Sequence, residues 1–178
     1  MSAGYVERSL TSHDFMRHFV EEFNGDGMPV LTMFLKSKDL INDTDNILVI
    51  SGEYTTLSFP PNSKAIIRIV PGNKTSEWLA TRSRYDIFTT FIDAIIRITT
   101  NKEVIDEYIH ELGGAIQNYL NDMRRLQFTV RGTKPPVVVF DSWARDIDVG
   151  YTVDRNMRIA RITHISKVDV LYTPNANK

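Results

Sequence analysis

Residues 85–98 carry apolar, aromatic or β-branched side chains on both parities of an extended chain. Tyr85, Ile87, Thr89, Phe91 and Ile95 fall on one face, and Phe88, Ile92, Ile96 and Ile98 on the other. Successive side chains of a strand point to opposite sides. A strand of this kind is covered on both faces and belongs inside a sheet, which the rest of the chain has to supply.

Partner strands are legible on either side. Residues 65–70 form a compact apolar run broken only by Arg68 and closed by Pro71-Gly72, the punctuation that ends a strand. A polar loop over 73–84, holding Trp78, then leads into the central strand. Residues 157–172 read as a second long strand, with Ile162, Val168 and Val170 on one face and Ile159, Ile165 and Leu171 on the other. Shorter β segments are expected at 126–130 and 137–140, joined by the turn 131–136. Another is expected at 143–149, where Trp143, Ile147 and Val149 alternate with Ser142, Asp146 and Asp148.

Two helices stand out. Thr11-x-x-Asp14 approximates a capping box ahead of Phe15, Phe19, Val20 and Phe23 at helical spacing, and Asn24-Gly25-Asp26-Gly27 stops the run. Thr100-x-x-Glu103 is a second capping box. It precedes a stripe of Ile105, Tyr108, Ile109, Leu112, Ile116, Tyr119, Leu120 and Met123. Gly113-Gly114 interrupts that stripe at about 1 kcal/mol per glycine, which points to a bend or a close helix–sheet contact. Residues 28–64 are expected to be irregular, with short strands at Val30, Met33, Phe34 and Leu35 and at 47–50. Polar turns at 42–46 and Phe59-Pro60-Pro61-Asn62 break this stretch, which suggests an extended loop or arm around 39–64. A flexible tail is expected at 173–178. The resulting expectation is one α+β domain over residues 1–178, with a largely antiparallel sheet packed against two main helices.

Composition narrows the function. The chain has 178 residues and no cysteine, so disulfide frameworks, thiolate metal sites and a cysteine nucleophile are excluded. Its 21 basic and 22 acidic side chains give a formal charge of -1. A dedicated nucleic-acid binder draws its affinity from a basic excess that is missing here. The first eight residues lack an apolar core, so no secretory signal is expected. No apolar run nears the ~20 residues that cross a bilayer as a helix, so no membrane partner is expected.

The search for chemistry returns fragments. His110-Glu111 lacks the second histidine four residues on, where Gly114 stands, so the zinc-protease helix is not formed. Asp141, Asp146 and Asp148 carry the carboxylates that hold Mg²⁺ or Ca²⁺, but no calcium-loop glycine surrounds them. They read as solvated strand carboxylates, with Asp146 and Asp148 on one face and Asp141 on the other. Pro71-Gly72-Asn73-Lys74-Thr75 lacks the first glycine and the Gly-Lys pair of a phosphate loop, and Gly132-Thr133-Lys134 is weaker still. Ser12-His13-Asp14 places the three triad residue types side by side, where they cannot converge. Arg82, Arg84, Arg124, Arg125, Arg131 and Lys134 flank elements without the interleaved aromatics of a base-stacking platform. No catalytic, cofactor or metal residue is assigned, and an enzyme is not expected. Arg82, Arg84, Arg131 and Lys134 are the candidate subunit or partner contacts.

One order of segments does resemble a known family. A strand closing on Val70-Pro71-Gly72 is followed by Arg82-Ser83-Arg84-Tyr85 opening the long strand, and by a helix containing Glu103-Val104-Ile105-Asp106-Glu107. Then come Ala144-Arg145-Asp146-Ile147-Asp148-Val149-Gly150-Tyr151 and Arg158-Ile159-Ala160-Arg161-Ile162. This arrangement resembles the tail-terminator and tail-completion (head–tail joining) proteins of tailed bacteriophages over about residues 65–172, as a pattern of elements rather than a motif. The resemblance implies a non-enzymatic α+β subunit assembling with itself into a ring, commonly a hexamer. The ring would cap the tail tube and meet neck or connector proteins. DNA would pass its lumen without specific binding, and the protein would reside in the virion after assembly in the host cytoplasm. Alternatives are another virion ring, such as a head-completion or tail-tube protein, or a nucleic-acid-binding module.

Overall fold

The computed structural model describes residues 10–43, 45–52, 60, 63–80, 83–97, 102–122, 126–133, 136–151 and 157–171. The elements run α1 (Ser12–Asn24), α2 (Met28–Ser37), β1 (Asn46–Ser51), β2 (Ser63–Ala80), β3 (Ser83–Arg97), α3 (Lys102–Leu120), β4 (Phe128–Val130), β5 (Val137–Val139), β6 (Asp141–Tyr151) and β7 (Met157–Leu171). The fold is α+β. Its five-stranded sheet has the order β1-β2-β3-β7-β6, and β4 and β5 form a separate two-stranded ribbon. β1 runs parallel to β2, and the other pairings are antiparallel.

β3 occupies the centre, paired with β2 on one side and β7 on the other, as its two-faced apolar pattern demands. The even-numbered face meets the helices. Phe88, Ile92, Ala94 and Ile96 join Phe15, Phe19 and Phe23 of α1 and Ile105, Ile109, Leu112 and Ile116 of α3 in the main core. On the opposite face Ile66, Ile95 and Met157 form a smaller cluster with Leu48, Ile50 and Ile159 packed on it. That face also buries Asp93 completely between two guanidiniums. Arg68 reaches it at 2.6 and 2.9 Å and Arg161 at 2.7 and 3.0 Å.

α1 begins where expected. The backbone N–H of Thr11 donates to Asp14 Oδ2 at 2.9 Å, and its hydroxyl donates to the same oxygen at 2.8 Å. The expected cap of α3 at Thr100 lies outside the described residues, as do Met123 and the tail 173–178. α3 runs through Gly113-Gly114 without a break. The close contact is real at Gly113, where a Cβ would stand 2.9 Å from Ile147 Cγ2 and 3.2 Å from the Ala160 Cβ.

Four expectations are corrected. First, Val30, Met33, Phe34 and Leu35 belong to a third helix, α2, and not to a strand. Pro29 sits in its first turn, where its missing N–H costs nothing. Leu31 and Leu35, four apart, are the residues it buries. A short apolar run does not separate helix from strand by period alone.

Second, β2 does not close at Pro71-Gly72, and residues 73–80, expected as part of a loop, are strand. The register shifts between Pro71 and Lys74, and the strand then continues against β3. Proline tolerates such an irregularity because it has no ladder N–H to lose. Gly72 permits the close approach of β3, since a Cβ there would lie 2.7 Å from the Thr89 carbonyl oxygen. Third, the arm expected over 39–64 is anchored where it is described. Ile41 is buried in the main core, and β1 is hydrogen-bonded to β2; residues 53–59 and 61–62 lie outside the described residues.

Fourth, the alternation assigned to 143–149 is interrupted by a bulge between Ala144 and Ile147. An extra residue reverses the faces beyond it. Ser142 and Ala144 face the core before the bulge and Ile147 and Val149 after it, so Trp143 lies on the opposite side from Ile147. There the Lys167 ammonium sits 5.1 Å from its ring centre.

Candidate functional site

The aromatic spacing of α1 brings His18 into the same row as Phe15 and Phe19, so its imidazole enters the core and not solvent. It stacks on Phe128 of β4 with centroids 4.4 Å apart and planes 13° apart. His164, at a core-facing position of β7, meets Phe19 at 4.7 Å. Beside these rings a cavity of about 420 Å³ opens between α1, the end of α3, β4 and β7. Its floor is aromatic, and Glu22, Asp26 and Arg131 stand around it.

Burial sets the chemistry of this cavity. It lowers the His18 pKa to about 4, with Arg131 adding to the depression and Glu22 opposing it. Burial also lowers His164 to about 3, reinforced by the charge His18 would carry. Both imidazoles are therefore neutral near pH 7. The Arg131 backbone N–H donates to His18 Nδ1 at 3.4 Å, which leaves the His18 proton on Nε2. His164 Nδ1 lies 3.2 Å from the Ser166 hydroxyl. This serine and histidine sit two positions apart on one strand. Among the described residues no carboxylate hydrogen-bonds to either imidazole.

Glu22 is held from two sides. The Arg131 guanidinium approaches it at 3.0 Å, and the Tyr119 hydroxyl donates to it at 2.5 Å. Arg131, a candidate partner contact, is thus folded back onto α1. Thr133 fixes the turn behind it, donating to the Val130 carbonyl at 2.9 Å and accepting from the Val137 N–H at 3.1 Å.

Arg84 lies elsewhere, on the far half of the β2–β3 hairpin. Lys74 and Arg84 flank the buried Asp86 carboxylate at 2.7 and 3.2 Å, and the Ser76 hydroxyl donates to it at 2.7 Å. Burial raises the Asp86 pKa, but the hydrogen bonds from Lys74 and Ser76 and the charges of Lys74 and Arg84 outweigh it and hold the carboxyl below its ordinary range. Trp78 pairs with Arg84 across the hairpin, and the guanidinium sits 5.6 Å from its ring centre. Trp78 is nevertheless 63% exposed. Arg82, Lys134, Arg124 and Arg125 lie outside the described residues; of the candidate contacts that are described, Arg84 is on the β2–β3 hairpin and Arg131 follows β4 beside α1.

The other sequence fragments stay separate. His110 and Glu111 are exposed on α3, and Glu111 pairs with Lys38 at 2.5 Å. Asp141 and Asp148 register opposite Lys167 and Arg161, so the bulge puts them on one face, contrary to the simple alternation. Asp146 pairs with its neighbour Arg145 at 2.6 Å. Among the described residues no three His, Cys, Asp or Glu side chains gather as a metal site. The cavity histidines were not singled out in the sequence. The available signals were the position of His18 within the Phe15–Phe19–Phe23 stripe and the shared parity of His164 and Ile162.

The fold and site define an α+β protein with helices on one face of a mixed, mainly antiparallel sheet. No protein-family model matches the chain, and no curated protein matches it. A solved structure described as the virion of a native gene transfer agent particle is similar, with 10% sequence identity, 94% of this chain and 100% of that chain covered, and a TM-score of 0.48.

Proposed function

We propose that this chain is a non-enzymatic structural subunit of a phage-like particle and that it acts as a tail terminator. Copies would form a closed ring, commonly a hexamer, that caps the tail tube and joins it to the neck. The observation that carries this reading is the resemblance of residues 65–172 to that family, whose segments here fall on one continuous unit: β2, β3, α3, β6 and β7.

Capping in this scheme is geometric. Heterologous contacts close into a ring when the rotation between neighbours closes, and a ring seated on the last tube ring leaves no surface for further addition. Sedimentation velocity and electron microscopy of the purified chain test the reading. Discrete closed rings are expected, and in a particle they should lie at the end of the tail tube. A strictly monomeric protein at high concentration, or rings located at another site in the particle, would overturn it.

A further inference from the structure

His18 and His164 line the same cavity of about 420 Å³, and their side chains are only 5% and 1% exposed. Each ring uses one nitrogen within the protein. His18 Nδ1 accepts from the Arg131 N–H, and His164 Nδ1 meets the Ser166 hydroxyl. Among the described residues neither Nε2 has a hydrogen-bond partner. Neither is sealed off: each keeps accessible surface, and the space open beside both rings is the cavity. Buried polar atoms are almost always hydrogen-bonded, so the partner of these two nitrogens comes from whatever fills the cavity.

The rest of the lining defines that occupant. Phe19, Leu120 and Phe128 set apolar surface beside the imidazoles, which suits a planar ring. The volume is in the ordinary range for a small-ligand pocket. His18, with Nδ1 accepting, donates from Nε2, so the ring must carry an acceptor. His164 presents Nε2 as donor or acceptor according to which way the Ser166 hydroxyl points. A hydroxyl is donor and acceptor at once and suits either setting. Charge works against ions. The Arg131 guanidinium is paired with Glu22, and the exposed Asp26 beside the cavity repels an anion. A cation would face the His18 N–H and the same guanidinium.

We infer that this cavity binds an uncharged aromatic ring bearing a hydroxyl, with the hydroxyl toward the two imidazoles and the ring against Phe19 and Phe128. A free phenolic molecule and a tyrosine side chain of a partner protein share this chemistry. The inference is independent of the ring-forming reading.

Titration of the full chain labelled with ¹⁵N-histidine tests it at pH 7. p-Cresol should move the ring signals of His18 and His164. Toluene, which has the same shape without the hydroxyl, should bind at least several-fold more weakly, because it leaves the His18 N–H without an acceptor. The anion 4-methylbenzoate should also bind more weakly than p-cresol. Thr129→Trp, at an exposed position of the cavity lining, should abolish binding of p-cresol. His18→Phe keeps a ring against Phe128 and removes the N–H, so it should erase the preference for p-cresol over toluene; if that variant fails to fold, the wild-type comparison still decides. Tighter binding of N-acetyltyrosinamide than of p-cresol would support a partner's tyrosine as the source, and the reverse order a free molecule. Unmoved imidazole signals, equal binding of toluene, or tighter binding of 4-methylbenzoate would overturn the inference.

Discussion

Gly113 of α3 and Ile147 of β6 meet where no methyl group fits: a Cβ on Gly113 would lie 2.9 Å from Ile147 Cγ2, with the Ala160 Cβ at 3.2 Å on its other side. Ile147 is β-branched and stiff, and Ala160 is fixed to the sheet. Gly113→Ala should therefore destabilise the protein by about 1–3 kcal/mol through overpacking, despite a helix-propensity gain of about 1 kcal/mol. The adjacent Gly114 has nothing within 4 Å of its missing Cβ. Gly114→Ala should accordingly stabilise by up to about 1 kcal/mol. Urea midpoints of the two variants moving in the same direction would contradict this helix–sheet contact.

The buried histidines make stability depend on pH. Their folded pKa values, about 4 for His18 and about 3 for His164, lie below the ordinary 6.5. Below pH 6.5 the unfolded chain binds more protons than the folded one, so the stability present above 6.5 is lost as pH falls. With two such groups the slope approaches roughly 2.7 kcal/mol per pH unit between about pH 6 and 4.5. Denaturant titrations at several pH values read it directly. His164→Gln should flatten the profile, and a wild-type stability that stays level from pH 7 to 4.5 would exclude neutral buried imidazoles.

Asp93 is the shared partner of two arginines and is fully buried. Asp93→Ala should cost about 3–5 kcal/mol, as loss of one member of a buried ionic group does. Asp93→Asn, which keeps the shape and some hydrogen bonding, should cost less. Equal midpoints for the wild type and Asp93→Ala would mean that the arginines are stabilised without it.

Ile116 is completely buried in the main core. Ile116→Ala should lower stability by about 2–5 kcal/mol. An unchanged unfolding midpoint would mean that this stripe of α3 is not the buried face.

Much of this architecture follows from periodicity that the chain carries locally. The two-faced pattern around Phe88, Ile92 and Ile95 makes a central strand wherever it is placed. The Thr11–Asp14 cap and the spacing of Ile105, Ile109, Leu112 and Ile116 make helices with one buried face. These signals come from neighbours in sequence, so the sequence alone determined the α+β class, the strand at 47–50 and the buried faces of α1 and α3. Other features depend on contacts between distant residues. Pro71-Gly72 is a strand end by local rule, yet pairing with Thr90 and Phe88 carries β2 past it. The apolar run from Met28 becomes a helix because Leu31 and Leu35 bury together in the helical core. The β6 bulge turns Trp143 away from Ile147, which no simple alternation anticipates. The cavity arises only when His18, Phe128 and His164, far apart in the chain, share one wall. Tertiary packing decided these features because desolvation and close contact act between surfaces, and local sequence does not say which surfaces will meet.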